Sequence, residues 1–182
     1  MPNPWLGPRS TVWGFEMSLR SRSFVLAAVA VLVSPPAVAF AAVEFEPRVG
    51  ETIELAGMSD GERMAVTVVQ VVDPAQVGEF FEPSQGQRYV AVQFKLENTG
   101  TAAYDDAPSN GAYVVDTSGQ SFRATIADTS AGPGFPGSVS IGPGDTGLGF
   151  ITFEVPLDSQ VAKVQFALNS GFADEKGEWQ VI

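Results

Sequence analysis

The feature that most constrains the fold is a regular alternation of apolar and polar side chains over residues 88–97. Every second position carries an aliphatic or aromatic side chain, namely Val90, Val92, Phe94 and Leu96. The last intervening positions carry Gln93, Lys95 and Glu97. A period of two is typical of a β-strand that buries one face, and an α-helix does not produce it. The pattern therefore predicts a fold built from half-buried strands.

Seven other segments are rich in β-forming residues and are bounded by turn residues. They span residues 52–55, 64–72, 112–116, 121–125, 147–155, 162–168 and 179–182. No segment combines a helical period with capping residues, and the 19 Gly and 13 Pro favour turns. We therefore predict an all-β antiparallel sandwich of seven to eight strands, with a small barrel as the alternative. Residues 117–120 are expected to form a hairpin turn and residues 128–143 a long surface loop.

The N-terminal part of the chain has the order of a secretory signal peptide. Arg20 and Arg22 precede an uninterrupted apolar run over residues 24–33, and small residues then stand at Ala39 and Ala41. Ten residues of helix rise about 15 Å, which is about half the thickness of a membrane's hydrocarbon core. We therefore expect cleavage near Ala41 and export by the general secretory route, with no membrane anchor in the mature chain.

Cleavage there divides the chain into a signal peptide over residues 1–41, with Met17 as its expected true start, and one domain over residues 42–182. Removing residues 1–41 takes three arginines and one glutamate from totals of 10 and 21, which leaves 7 basic and 20 acidic residues and a net charge of −13. Such a charge repels nucleic acid and anionic lipid headgroups. We therefore expect a secreted, extracellular protein with no nucleic-acid partner.

Cysteine and histidine are both absent from the chain. Without cysteine there is no disulfide, no thiolate nucleophile and no cysteine for lipid attachment. Without histidine the usual general base at neutral pH is missing. Acidic residues could supply the carboxylate pair of a glycoside hydrolase, but an acidic domain contains such pairs without any catalytic role. The chain is therefore expected not to be an enzyme and to hold no cofactor, and a carboxylate-based hydrolase is the weakest alternative.

Two stretches of the sequence carry a family resemblance. They are residues 86–100, GQRYVAVQFKLENTG, and residues 141–147, IGPGDTG, with the continuation FITFEVP over residues 150–156. Both resemble the telokin-like secreted bacterial domains, a family of unknown function with an immunoglobulin-like fold that includes a secreted mycobacterial immunogenic antigen. The resemblance covers roughly residues 48–170. It implies an immunoglobulin-like sandwich and export, and it transfers no catalytic residues.

Two motifs within these stretches have a physical interpretation. Gly100 is expected to adopt a positive φ at the turn that ends the strand over residues 88–97. Pro143 and Gly144 are expected to shape the turn before the strand over residues 147–155. Both motifs predict features of the fold and neither predicts chemistry.

Asp105, Asp106 and Asn110 are the candidate metal ligands. They follow one another closely in a segment predicted to be a loop, and calcium prefers carboxylate and amide oxygens. Asp128 or Asp145 from other loops would complete such a site. The spacing matches no EF-hand, and adjacent acids are common in the solvated loops of an acidic domain. A calcium- or small-ligand-binding extracellular protein is therefore the alternative prediction.

Three phenylalanines are the candidate partner contacts. Phe80 and Phe81 lie between Glu79 and Glu82, and Phe135 lies in a segment rich in Gly and Pro. Apolar side chains at loop tips can anchor a partner, or they can fold back over the open ends of the sandwich. The leading prediction is a secreted, non-catalytic module that contacts an unknown extracellular protein through its loops or a sheet edge.

Overall fold

A computed structural model describes residues 46–78 and 80–181 of the chain. The predicted signal peptide over residues 1–41 and the expected start at Met17 lie outside these described residues. Within the described ranges no helix is long and apolar enough to span a membrane. The main hydrophobic cluster draws its members from residues 49–181, so the predicted domain contains its own core.

The described chain folds into ten β-strands joined by turns and loops. In chain order they are β1 (Thr52–Ala56), β2 (Arg63–Ala75), β3 (Gln87–Asn98), β4 (Tyr104–Asp106), β5 (Ala112–Asp116), β6 (Ser121–Thr125), β7 (Val139–Ile141), β8 (Thr146–Pro156), β9 (Val161–Ala167) and β10 (Lys176–Gln180). A 3-10 turn, Pro108–Gly111, precedes β5, and a short helical turn, Leu168–Gly171, follows β9. All eight predicted strands are present, with bounds shifted by a few residues.

Eight strands form one hydrogen-bonded sheet in the order β1-β2-β3-β8-β6-β5-β9-β10, and β4 pairs with β7 in a separate small sheet. Neighbouring strands of the large sheet are antiparallel. β6 pairs with β8 at only two positions. The sheet folds over at this junction, so that Phe94 of β3 packs on Phe166 of β9 with ring centroids 5.2 Å apart. The fold is therefore the predicted antiparallel β-sandwich.

The outer strands β1 and β10 also approach one another. Arg48, just before β1, makes a parallel bridge to Gln180 of β10. The buried side chain of Trp179 donates its indole N–H to the backbone oxygen of Glu51 at 2.8 Å. These contacts cover edges that an open sandwich leaves exposed. Because this flank is closed, the sandwich partly resembles the small barrel that the sequence left as the alternative fold.

The apolar face predicted from the alternation over residues 88–97 lies in the core. Its apolar side chains are fully buried, namely Val90, Val92, Phe94 and Leu96. Fully buried side chains from the other layer pack with them, namely Val114, Val164, Phe166 and Trp179. Among the described residues no buried side-chain nitrogen or oxygen lacks a hydrogen-bond partner. The core therefore has the apolar interior and satisfied polar groups of a stable domain.

The sequence-based expectation fails at short and irregular strands, including β4, which lies in a segment predicted to be a loop. The long surface loop predicted over residues 128–143 is wrong at β7, where Ile141 is buried. A three-residue strand shows too little alternation to be recognised among Gly, Pro and Ser. β2 also continues through Asp73 and Pro74 to Ala75, because an irregular register between Val72 and Ala75 accommodates them.

Candidate interaction surface

Asn98 is a buried polar residue that ties together one end of the sandwich. Its amide nitrogen donates to the backbone oxygens of Ala102 and Ile141, both at 2.8 Å. Its amide oxygen accepts the N–H of Gly100 at 2.9 Å. We call this region the Asn98 end, and it contains the turns over residues 57–62, 99–102, 142–145 and 168–171. One side chain thereby joins the turn after β3 to β7.

Gly100 brings two of these turns into close backbone contact. A Cβ at Gly100 would lie 2.1 Å from the backbone oxygen of Gly61 and 2.7 Å from the backbone nitrogen of Arg63. Gly100 is not among the residues with positive φ, so that expectation is wrong. The position requires the absence of a side chain instead. Gly144 does have a positive φ of 84°, which confirms the predicted turn before β8.

Asp116 ties together the opposite end. Its carboxylate accepts the N–H and hydroxyl of Ser118 at 2.9 and 2.6 Å, the N–H of Gln120 at 2.9 Å and the hydroxyl of Ser159 at 2.8 Å. The bonds from Ser118, followed by those from Ser159 and Gln120, favour the charged form and outweigh the opposing effect of burial, so the pKa of Asp116 falls to about 2. The carboxylate joins the β5–β6 turn to the β8–β9 turn.

Tyr104 and Arg88, two of the three other side chains with shifted pKa values, are also engaged in contacts within the fold. Burial, together with the neighbouring Asp106 carboxylate, raises the pKa of Tyr104, whose hydroxyl donates to Asp106 at 3.3 Å. The guanidinium of Arg88 donates to both carboxylate oxygens of Asp73, at 2.7 and 2.8 Å, and this hydrogen bonding raises the pKa of Arg88. The Arg88–Asp73 pair joins β3 to β2, whereas the Tyr104–Asp106 bond lies within β4.

The turn Leu168–Gly171 has an unusual backbone. Asn169 and Ser170 have φ angles of 52° and 56°, and Gly171 follows with 88°. Within the described ranges these are the only residues other than glycine with a positive φ. The left-handed conformation costs on the order of 1–2 kcal/mol for a residue with a side chain. Two such residues in succession therefore require contacts that hold them.

Side chains from two distant segments hold this left-handed turn. The amide of Asn169 accepts the N–H of Met58 at 2.9 Å and donates to the carboxylate of Glu62 at 3.1 Å. The carboxylate of Asp106 accepts the N–H of Ser170 at 2.6 Å and its hydroxyl at 2.5 Å. The turn is thereby fixed to the β1–β2 turn on one side and to β4 on the other.

Phe172 follows the left-handed turn and points into solvent. Its side chain is 78% exposed, and that of Met58 is 68% exposed. Both line a shallow hollow of about 290 Å³, which we call the acidic hollow. Its remaining lining residues are Ala56, Gly57, Asp174 and Glu175. One carboxylate oxygen of Glu175 accepts the N–H of Ala56 at 2.7 Å, and the charged residues of this lining are both acidic.

Phe172 also lines a second hollow, of about 250 Å³, which we call the polar hollow. Its other lining residues are Ser109, Asn110, Arg123, Ala124 and Ser170. The guanidinium carbon of Arg123 lies 5.4 Å from the ring centroid of Tyr113, so its charge is partly engaged by that ring. The two hollows and Phe172 between them form one surface, named the Phe172 surface. None of the side chains with shifted pKa values lines it.

The structure does not bring the predicted calcium ligands into a common cluster. Asp105 and Asp106 are successive residues of β4, so their side chains point to opposite faces of the strand. Both oxygens of Asp106 already accept hydrogen bonds, from Ala107 and Ser170. The side chain of Asn110 donates to the hydroxyl of Ser170 at 3.3 Å. In the part of the chain that the structure describes, no group of three acidic side chains is placed to hold a metal ion. Calcium binding stays a prediction.

The two further acids proposed for that site lie in separate loops. Asp128 lies after β6, and its backbone oxygen accepts the N–H of Gly78 at 2.8 Å. Asp145 lies in the turn before β8, with its carboxylate against Gly142. The backbone of Asp128 therefore joins its loop to the connection between β2 and β3, and Asp145 contacts its own turn.

Phe80 and Phe81 lie in the connection between β2 and β3. Phe80 is 79% exposed and Phe81 is 42% exposed. Neither belongs to the hydrophobic clusters found among the described residues. The ring of Phe80 therefore does not fold back over the sandwich. Both residues stay predicted partner contacts.

Phe135 is half-buried and packs against the core. Its ring lies over Gly147 and Gly149 of β8, where a Cβ at Gly149 would be 2.9 Å from the ring. Its backbone N–H donates to the oxygen of Phe150 at 3.2 Å. The ring thus fills space that the two glycines leave open. Its outer part lines a groove of about 250 Å³ with the exposed side chain of Ile126, and its role in partner binding stays a prediction.

The sequence pattern does not predict that Phe172 is exposed beside a fixed turn. It predicts a strand over residues 162–168 and no element for the residues that follow. A signal is nevertheless present. Asn169, Ser170 and Gly171 are three successive turn-favouring residues, and a lone aromatic residue follows them. The sequence does not reveal that distant side chains lock this turn.

The family model of a domain of unknown function, DUF4352, matches residues 57–177 of the chain. The match spans β2 to β9 together with the Phe172 surface. It agrees with the resemblance carried by residues 86–100 and 141–156. A comparison with curated proteins finds no match.

Two solved structures share the fold. One is MPT63, a secreted protein from Mycobacterium tuberculosis, with a TM-score of 0.52 and 14% identity over 76% of this chain and 98% of that one. The other is the yjhA protein from Bacillus subtilis, with a TM-score of 0.51 and 16% identity over 75% of this chain and 99% of that one. At these identities the similarity establishes the sandwich fold.

Proposed function

We propose that this chain, which belongs to the DUF4352 family of domains of unknown function, acts outside the cytoplasm as a non-catalytic module that binds a protein partner. The binding would occur at the Phe172 surface; Phe80 and Phe81, in the connection between β2 and β3 at the opposite end of the sandwich, form no part of that surface. The fold alone does not select a function, because sandwiches of this kind host many functions. The proposal therefore depends on a particular surface of the molecule.

The observation that carries the proposal is the presentation of Phe172. The preceding turn places two residues in the left-handed conformation, which is unfavourable for residues with side chains. Four side-chain hydrogen bonds hold that turn. The large aromatic ring that follows is nevertheless left in water. A strained, well-fixed segment with an exposed aromatic side chain is typical of a binding site.

Two considerations support a location outside the cytoplasm. The sequence predicts a cleavable export signal ending near Ala41. A protein of the same fold from Mycobacterium tuberculosis is described as secreted. The absence of cysteine from the chain is compatible with an oxidising environment, since no thiol is left to react.

The disposition of the ionisable groups supports a non-catalytic role. The chain contains no histidine or cysteine. Asp116, whose pKa is about 2, is ionised at neutral pH and engaged by Ser118, Gln120 and Ser159. A general acid needs the opposite shift, toward a pKa near the working pH. The most perturbed carboxylate is therefore suited to structure rather than to proton transfer.

The test is capture of partners from the culture medium and cell envelope with residues 42–182 as bait. We expect at least one protein to be retained by the wild-type domain and lost with Phe172→Ser. Phe172 makes no core contact, so this substitution is expected to change the free energy of unfolding by less than about 0.5 kcal/mol. Equal retention by both baits would contradict the proposed surface.

Leu157→Ser is the matched control for this experiment. Leu157 is also a large exposed side chain, at 65%, and it lies beyond β8 at the opposite end from Asn98. We expect the Leu157 variant to retain the same partner as the wild type. Loss of the partner with both variants would indicate nonspecific apolar adhesion and would also contradict the proposal.

A further inference from the structure

We infer that the occupant of the Phe172 surface is a basic polypeptide segment, with a Lys or Arg side chain in the acidic hollow and its backbone across Phe172. This inference names the chemistry of the partner and rests on the proposed function. The side chain's apolar stem would lie between Met58 and Phe172. Its charge would lie near Asp174 and Glu175.

The residues that line the acidic hollow indicate that its ligand is a cationic side chain. Two large apolar side chains and two carboxylates line it, and none of its lining residues is basic. Lys and Arg are the side chains that combine an apolar stem with a positive head. An exposed aromatic ring also attracts such a positive head. Charge complementarity and apolar contact therefore favour the same occupant.

The charges around the hollow point in the same direction. The left-handed turn beside it is held by two further carboxylates, those of Glu62 and Asp106. Basic side chains lie outside the acidic hollow: Arg123 lines the adjoining polar hollow, where the ring of Tyr113 partly engages its charge, and Arg63 and Lys176 begin β2 and β10. The mature chain has 20 acidic and 7 basic residues, so the wider field attracts a cationic partner.

The dimensions of the surface favour a polypeptide over a small molecule. Each hollow is open to solvent and measures about 250–290 Å³, at the lower limit of the range of about 300–1,000 Å³ that is usual for the more enclosed small-molecule sites. Two adjacent hollows separated by one aromatic ring suit successive side chains of an extended segment. The polar hollow offers Ser109, Asn110 and Ser170 as hydrogen-bonding groups for its backbone.

A second copy of the chain is a poorer occupant. Its own surface carries the same excess of acids, and like charges brought together weaken association. The zwitterionic or anionic surface of a bilayer offers no concentrated positive charge to the two carboxylates. The basic polypeptide is therefore the occupant that the charges of this surface favour.

The test is a titration of the ¹⁵N-labelled domain, residues 42–182, followed by amide chemical shifts. The probe is a capped hexapeptide with two arginines and two valines, and the control peptide has glutamates in place of the arginines. We expect saturable shifts confined to Gly57, Met58, Phe172 and Asp174 and their neighbours, and none with the control peptide. Phe172→Ser and Asp174→Asn should each raise the Kd about three- to fivefold, with the spectra themselves reporting that the variants are folded.

Three outcomes would overturn the inference. One is that the arginine peptide changes amide chemical shifts on all acidic faces of the domain, and that these changes are the same in both variants. The second is concentration-dependent shifts at Phe172 without any peptide, which would indicate self-association. The third is Phe172-dependent binding to phosphatidylcholine vesicles without peptide binding. If the peptide fails while Phe172→Ser still abolishes capture from the medium, the partner is not basic but the proposed function stands.

Discussion

At the scale of the residue, two buried polar side chains organise the two ends of the sandwich. Asn98 bonds to Ala102, Ile141 and Gly100, and Asp116 collects its bonds from two other turns. Turn backbones leave N–H and C=O groups without strand partners, and a buried group left unsatisfied costs about 1–3 kcal/mol. The buried side chain of Asn98 removes that cost where β3 ends, and the carboxylate of Asp116 supplies hydrogen-bond acceptors to two turns at the other end.

The low pKa of Asp116 makes stability depend on pH in acid. This pKa is lower in the folded chain than in the unfolded chain. The ionised carboxylate of Asp116 therefore contributes fully to the free energy of unfolding above about pH 4. The contribution is lost as the pH falls toward the folded value of about 2. We expect Asp116→Asn to be less stable than the wild type at neutral pH and to lose less stability between pH 4 and pH 2.

Urea unfolding followed by circular dichroism at several pH values measures this dependence. Asp158→Asn is the matched control, because Asp158 is an exposed acid in the turn that also contains Ser159. The control should keep the wild-type acid dependence. The same dependence in the Asp116 variant as in the wild type would contradict the role given to this carboxylate.

Phe135 and Phe80 should respond differently to the same substitution. Phe135 is half-buried over the glycines of β8, so Phe135→Ser should lower the free energy of unfolding by about 1–2 kcal/mol. Phe80 is 79% exposed, and Phe80→Ser should change it by less than about 0.5 kcal/mol. Thermal and urea unfolding of the two variants measure the difference. An unchanged stability in Phe135→Ser would mean that its ring is a free contact residue.

At the scale of the element, long strands are predictable from the sequence and short or irregular ones are not. β3 and β8 are eleven or more residues long, and each contains a run of alternating apolar residues from which its core-facing side can be identified. β4 and β7 have three residues each, so one or two apolar positions carry no period. The turn Leu168–Gly171 depends on Glu62 and Asp106, which are distant in the sequence. Long-range hydrogen bonds of this kind leave no local pattern.

Asp106 is the side chain on which the left-handed turn depends most. Asp106→Ala removes the acceptor of the Ser170 N–H and hydroxyl, so the free energy of unfolding should fall by about 1–3 kcal/mol. The amide of Ser170 should also exchange faster with solvent. Asp105→Ala is the control, because Asp105 is the exposed neighbour on the same strand. Equal effects of the two substitutions on stability and exchange would contradict this assignment.

The calcium prediction can be tested with the same residues. A site formed by Asp105, Asp106 and Asn110 predicts a melting temperature that rises with calcium concentration. The weakest extracellular calcium sites have a Kd of about 1 mM, so a titration to about 10 mM is sufficient. The rise should disappear in Asp105→Asn, which keeps the bonds of Asp106 to the turn. No rise up to that concentration would reject the site.

At the scale of the whole domain, residues 46–181 form an acidic sandwich that carries the Phe172 surface at its Asn98 end. The flank between β1 and β10 is covered by the contacts of Arg48 and Trp179. The overall charge and the sandwich class follow from composition and alternation, and so does the absence of the usual catalytic side chains. The position of the Phe172 surface, the proposed binding surface, does not follow from the sequence, because it depends on which turns meet at the Asn98 end.

Site-specific photo-crosslinking in cultures that produce the protein tests the central proposal most directly. A benzophenone amino acid would replace Phe172 in one variant and Leu157, exposed at the opposite end, in another. We expect illumination to give a covalent adduct with a second protein from position 172 and none from position 157. No adduct from position 172, or equal adducts from both positions, would contradict a binding function for the Phe172 surface.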